Sequence, residues 1–346
     1  MQQVYHIALV LLAGLLGWAG TLLVEQHAAR MGLVQGPNER SSHTKPTPRG
    51  GGAAVAVAIA ASGALLAMMG EPTMWMTAVL CLAIGLLGFA DDLIDLSPAV
   101  RFPIQGIVLA VLVWWSSPLP AIPLVPGFAL EGWILATIVV IVGLWWLNLY
   151  NFMDGIDGIA ATQAIIILLG ATAIWLMTDT TLPERPPFWL ALATAAAATG
   201  FLLRNWPPAH IFMGDAGSNS LAVAIFGIAV TTAAADALSY ATWLILPSAF
   251  VADATVTLVR RLIRGERPWK AHRHHAYQQL SRLWGHRAVT LLYCCLTAFW
   301  STPIALLCEL SAHWSWAYVL VAYLPITLFV TFVGAGAASE RRNSEI

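Results

Sequence analysis

The chain has 346 residues, 59% hydrophobic and only 10% charged, with a mean hydropathy of +0.74 and a net charge of −1. Soluble domains carry about 25% charged residues and nucleic-acid binding wants a basic field, so both classes are excluded. Apolar runs near the length of a bilayer crossing also exclude a β-barrel; the expected fold is an all-α polytopic integral membrane protein.

The first run, 4–24, has no Lys or Arg before it and no small-residue cleavage site, so it is expected to stay as a helix and not to be removed as a signal peptide. Further runs follow at about 51–69, 74–90, 102–117, 132–150, 158–178, 188–204, 219–235, 238–258, 288–308 and 314–335, which makes about eleven spans. With the N-terminus outside, alternation puts every Lys and Arg except Arg185 on the cytoplasmic side, as the positive-inside rule requires. The C-terminus is then cytoplasmic. Residues 1–335 read as one transmembrane domain and 336–346 as a short cytoplasmic tail. The four cysteines lie in apolar runs and match no zinc spacing. No internal repeat stands out. Aromatic residues in the last two runs could serve packing, including packing into a homodimer.

Between the spans, the unusual polar residues fall on the cytoplasmic face. RSSHTKPTPRGGG (40–52) is a Pro- and Gly-rich turn; its His43, Lys45 and Arg49 either neutralise phosphate or merely anchor the loop at the inner leaflet. FADDLIDLSP ends the third run. Asp91 and Asp92 repel each other beside hydrocarbon, and a divalent cation or a proton would relieve that; Asp95 reads as a turn residue.

NLYNFMDGIDGIA (148–160) joins two long runs, and the rest of the chain reads as arranged around it. Asp154 and Asp157 are three apart, on one face if a helix starts here. Gly155 and Gly158 would leave that face open to a ligand. Helix capping is the plainer alternative, but two Asp and the nearby Asn151 exceed what a cap needs.

NWPPAHIFMGDAGS (205–218) breaks a helix at Pro207 and Pro208 and presents Asp215 between two glycines, as a cap or a metal ligand. Asp253 lies inside the ninth run, either paired with a neighbouring Arg or catalytic. RRLIRGERPWKAHRHHAYQQL (260–280) is basic and carries His272, His274 and His275. No second zinc-ligand set accompanies these histidines, and Arg and Lys favour diphosphate. Acids that want a cation and bases that want an anion, on one face, suggest a Mg²⁺-bound diphosphate. No P-loop and no nucleophile elbow is present.

In this order, RSSHTKPTPRGGG, FADDLIDLSP, NFMDGIDGIA, FMGDAGS and AHRHHAYQ resemble the motifs of the polyprenyl-phosphate N-acetylhexosamine-1-phosphate transferases, glycosyltransferase family 4, and most of all its O-antigen-initiating members. The resemblance covers about residues 40–280. It implies transfer of N-acetylhexosamine-1-phosphate from a UDP-sugar to undecaprenyl phosphate with release of UMP, in the bacterial inner membrane. The cofactor it implies is Mg²⁺, with Mn²⁺ as a substitute. Carried over residue by residue, it makes Asp215, Asn151 and Asp92 metal ligands. Asp91, Asp92, His272, His274 and His275 would be catalytic. Asn151, Asp154, Asp157, Lys45, Arg264, Arg267 and Arg273 would bind the nucleotide and diphosphate. Two departures stand out: the setting of Lys45 differs from the peptidoglycan-precursor branch, and Arg273 stands where several relatives have an apolar residue. The rival class is a secondary transporter, which would place carboxylates in broken helices near the midplane and show repeat symmetry.

Overall fold

The computed structural model describes residues 2–35, 46–70, 73–125, 127–179, 185–266 and 273–337. Every apolar run becomes helix. In chain order these are α1 (Gln2–His27), α2 (Gly52–Met68), α3 (Thr73–Ile94), α4 (Pro98–Ser116), α5 (Gly132–Met153), α6 (Ile159–Thr178), α7 (Pro186–Asn205) and α8 (Gly214–Ala234). There follow α9 (Tyr240–Ile245), α10 (Ser248–Ile263), α11 (Ala276–Leu296), a π-helical turn (Thr297–Ser301), α12 (Thr302–Leu310) and α13 (Ser315–Val333). Two small antiparallel hairpins interrupt them: β1 (Val34–Gln35) with β2 (Thr47–Pro48), and β3 (Ile122–Val125) with β4 (Phe128–Leu130).

Among the described residues, nine helical segments are long and apolar enough to cross a bilayer, against the eleven expected. The difference has two causes. The run 51–69 yields a helix of only 17 residues. The run 238–258 is broken in two at Pro247, whose missing N–H and ring end α9 and restart the chain as α10.

The bundle is built around α8, whose buried residues run from Ala216 to Ala233. Small residues let neighbours come close. A Cβ on Gly52 would strike the Gly217 backbone, so α2 and α8 touch backbone to backbone. Likewise a Cβ on Gly88 would strike the Asp215 carbonyl, so α3 lies directly on the first turn of α8.

Hydrogen bonds show which helix ends share a side of the bundle. The C-terminal ends of α3, α5 and α7 meet the N-terminal ends of α4, α6 and α8, through Asp91 and Asp92, Asn151, Asn205, Arg101 and Asp215. Polar side chains therefore gather at one end of the bundle and not at its midplane.

Candidate active site

The site starts from a capped helix. Gly214 has φ +74, a left-handed conformation that admits Gly readily; a Cβ there would meet the Asp92 carboxylate. The space goes to Asp92, whose Oδ1 accepts the Asp215 N–H (3.1 Å) and whose Oδ2 accepts the Ala216 N–H (3.2 Å). A side chain from α3 thus satisfies free N–H groups at the start of α8. The plain capping role read for Asp215 belongs to Asp92 instead.

With its backbone held in this way, Asp215 turns its side chain toward Asn151 and Arg101. Its Oδ1 accepts from Asn151 Nδ2 (3.0 Å) and its Oδ2 accepts from Arg101 Nη1 (2.9 Å). Asn151 Nδ2 also donates to Ser218 Oγ (2.9 Å). Arg101 forms a second ion pair, with Asp91, and Asp91 Oδ1 accepts the Leu96 N–H (2.6 Å). Arg101 is therefore the cation that lets Asp91 and Asp215 sit together. Arg49 donates to the Asp92 carbonyl. Its loop is stitched to the loop before α8 by Phe212 N to Pro48 O (2.8 Å), Gly51 N to Phe212 O (3.0 Å) and Gly52 N to Met213 O (2.8 Å).

Asp154 and Asp157 do not share a helical face, because α5 ends at Met153 and α6 starts only at Ile159. They sit in the intervening turn and point to different fates. Asp157 is buried; its Oδ2 accepts the Ala209 N–H (3.1 Å) and lies 3.2 Å from His286 Nδ1. Asp154 is half-buried, and no donor among the described residues reaches its carboxylate. Burial, with the charges of Asp92 and Asp157 adding to it, pushes the Asp154 carboxyl up to about 7. Gly155 is not an opening for a ligand as expected: a Cβ there would strike Tyr277 Oη. Gly158, with φ +75, donates its N–H to Asn205 Oδ1 (2.8 Å).

The histidine motif leads into α11. His275 is the N-cap residue and is buried. His274 accepts the Gly336 N–H (2.7 Å) at its carbonyl. Burial first, then the charge of Arg261, holds the His274 imidazole below its usual range. Arg273 accepts from Arg282 at its carbonyl (3.4 Å). Arg264 pairs with Glu266 (2.8 Å), as does Arg261 (2.7 Å). Lys45, Arg267 and His272, three further site expectations, lie outside the described residues.

Among the described residues Asp253 pairs with no Arg. It accepts hydrogen bonds from Ala276 N and Tyr277 N at the start of α11. Sequence reasoning also missed Arg101, Asn205, Tyr277 and His286 as parts of this site. Arg101 offered a signal, a lone basic residue just past a Ser-Pro helix start and ten residues from Asp91; the others became visible only through contacts distant in sequence.

Can these residues hold Mg²⁺? Among the described residues no three His, Cys, Asp or Glu side chains converge as a complete metal cage. Mg²⁺ is usually bound by one or two carboxylates with substrate phosphate and water supplying the rest. The Asp215 carboxylate, with Asp91 and the Asn151 amide beside it, offers hard oxygen ligands of that kind, so the residues fit the ion.

Comparison with known proteins bears on the same residues. Residues 74–233 match the family model described as Glycosyl transferase family 4. The decaprenyl-phosphate N-acetylglucosaminephosphotransferase of Mycolicibacterium smegmatis is 31% identical over 327 residues, covering 83% of this chain and 79% of its own. The probable undecaprenyl-phosphate N-acetylglucosaminyl 1-phosphate transferase of Bacillus subtilis is 30% identical, over 74% and 72%. The phospho-N-acetylmuramoyl-pentapeptide-transferase of Oceanobacillus iheyensis is 28% identical, over 77% and 83%. A match of this extent, joined to a multi-pass helical bundle with Asp91, Asp92 and Asp215 gathered at one end, means that the chain belongs to glycosyl transferase family 4, the membrane-embedded polyprenyl-phosphate N-acetylhexosamine-1-phosphate transferases.

Proposed function

We propose that the protein transfers N-acetylhexosamine-1-phosphate from a UDP-sugar to undecaprenyl phosphate, releasing UMP and leaving undecaprenyl-diphospho-sugar. This is the first membrane step of O-antigen or a related envelope polysaccharide, in the bacterial cytoplasmic membrane. N-acetylglucosamine is the first sugar to assay, because the M. smegmatis and B. subtilis relatives carry it in their names. The observation that carries the reading is Asp215, held on α8 by Asp92 and oriented by Asn151 and Arg101.

Asp215 and Asn151 would hold Mg²⁺, with Asp92 fixing the turn that presents Asp215. When bound, the ion would screen the charge that builds on the diphosphate oxygens. Arg101 keeps Asp91 beside Asp215. The lipid phosphate oxygen forms its bond to the β-phosphorus of the UDP-sugar as the bond to the α-phosphate oxygen breaks, and UMP departs. Asp91 would take the proton of a monoanionic lipid phosphate; an ionised carboxylate can accept it, though it is a weak base. Arg264, Arg267 and Arg273 with the histidine motif grip the diphosphate, and Lys45 serves the nucleotide. Engagement of Arg264 requires exchange of its Glu266 partner for phosphate, a trade of one anion for another at an exposed position.

The test is direct. Purified protein in bilayers receives radiolabelled UDP-sugars and undecaprenyl phosphate. Label entering the lipid phase with matching UMP release, abolished by chelation and restored by Mg²⁺, is the expected result. UMP released in a burst without lipid would instead indicate a covalent aspartyl-phosphate route. A protein that moves sugar across the bilayer without forming a lipid-linked product would be a transporter.

A further inference from the structure

Asp253 is a carboxylate for which the transfer chemistry has no use. It lies in the second turn of α10 with no exposed surface. Its Oδ1 accepts the Ala276 N–H (2.8 Å) and the Thr257 hydroxyl (3.3 Å). Its Oδ2 accepts the Tyr277 N–H (2.9 Å) and the Tyr293 hydroxyl (2.5 Å). Ala276 and Tyr277 are the first two residues of α11, so a buried anion from one helix closes the open N–H groups of another. His275 is the adjoining N-cap residue, with its Nδ1 3.6 Å from Asp253 Oδ1.

Tyr277 carries the constraint onward. Its hydroxyl donates to the Phe152 carbonyl (2.9 Å) in the last turn of α5. The same hydroxyl occupies the space that a Cβ on Gly155 would need. Asp154 lies between these two anchor points.

The geometry points to Asp253 as a positioning residue: it fixes the first turn of α11 and, through Tyr277, the backbone that carries Asp154. Its effect on turnover rests on the transferase reading; its effect on the backbone does not. Asn in its place keeps the shape but turns an N–H₂ group toward an N–H or O–H donor, so one side of the four-way contact is lost.

The experiment uses full-length protein in nanodiscs, as wild type, Asp253→Asn, Tyr277→Phe and the double variant. Amide hydrogen exchange is read over 152–158 and over 214–234, and kcat and KM are read for the UDP-sugar. Each single variant should raise exchange in 152–158 severalfold and leave 214–234 unchanged. The kcat of Asp253→Asn should fall about tenfold while KM moves less than about twofold, since misplacing a reacting group costs rate. The double variant should be no worse than Asp253→Asn within about twofold, because residues in one chain of contacts do not add. Unchanged exchange in 152–158, or losses that multiply in the double variant, would overturn the proposal. Should Asp253→Asn not fold, Tyr277→Phe decides alone by the same exchange and kcat readings. If the wild type transfers nothing, the transferase reading fails while the exchange arm still decides the role of Asp253.

Discussion

Asp215 and Asp92 are both acids at the same end of the bundle, yet their surroundings give them opposite work. Asp92 turns both oxygens to the backbone of α8, whereas Asp215 turns its side chain to Asn151 and Arg101. Replacing Asp215 by Asn keeps the volume and removes the charge. Turnover with Mg²⁺ should fall about a hundredfold, the scale for losing one electrostatic partner of a reacting group, with the melting temperature nearly unchanged. A variant that still transfers sugar-phosphate at the wild-type rate would remove Asp215 from the metal set. Residue types and their order were legible in the sequence, because acids beside hydrocarbon are too costly to be idle. The division of labour was not, since a cap and a ligand look alike until the partner helix is known. Asp157 makes the same point: its neighbours Ala209 and His286 come from loops and helices far along the chain.

At the scale of elements, hydrophobic runs announced the helices with ends off by a few residues. They failed where Pro247 splits one run and where the π-helical turn Thr297–Ser301 interrupts the run 288–308. Both are local conformations that an average over twenty residues smooths away. Asp92→Ala should destabilise the protein by about 1 kcal/mol through loss of the α8 cap, read as a lower melting temperature. Its loss of activity should exceed what the unfolded fraction explains, because Asp215 shares that turn. The contact of Gly88 with the Asp215 backbone sets a further test. Gly88→Leu should push α3 off α8 at a cost of about 1–3 kcal/mol; a variant that melts like wild type would show that the two helices have slack between them.

For the molecule as a whole, the helix ends carrying Arg49, Asp92, Arg101, Asn151, Asn205 and Asp215 share one side of the bundle. From the distribution of Lys and Arg we infer that this side faces the cytoplasm. Cysteines placed one at a time at Ser97 and at Ala209 should react with an impermeant thiol reagent only in inverted vesicles. A cysteine at Gly127, in the hairpin at the other end of α4, should react in intact cells. Labelling of Ser97 and Gly127 from the same side would refute the arrangement.

The helix that bears Asp215 is wrapped by protein along nearly its whole length, while α1 and α13 present much of their surface outward. Bilayer stretching or thinning therefore loads the outer ring before it reaches the axle. Turnover should vary little between short-chain and long-chain lipid vesicles that match the same acceptor supply. A steep dependence on acyl length would mean that the rim transmits membrane strain inward to the reactive tip.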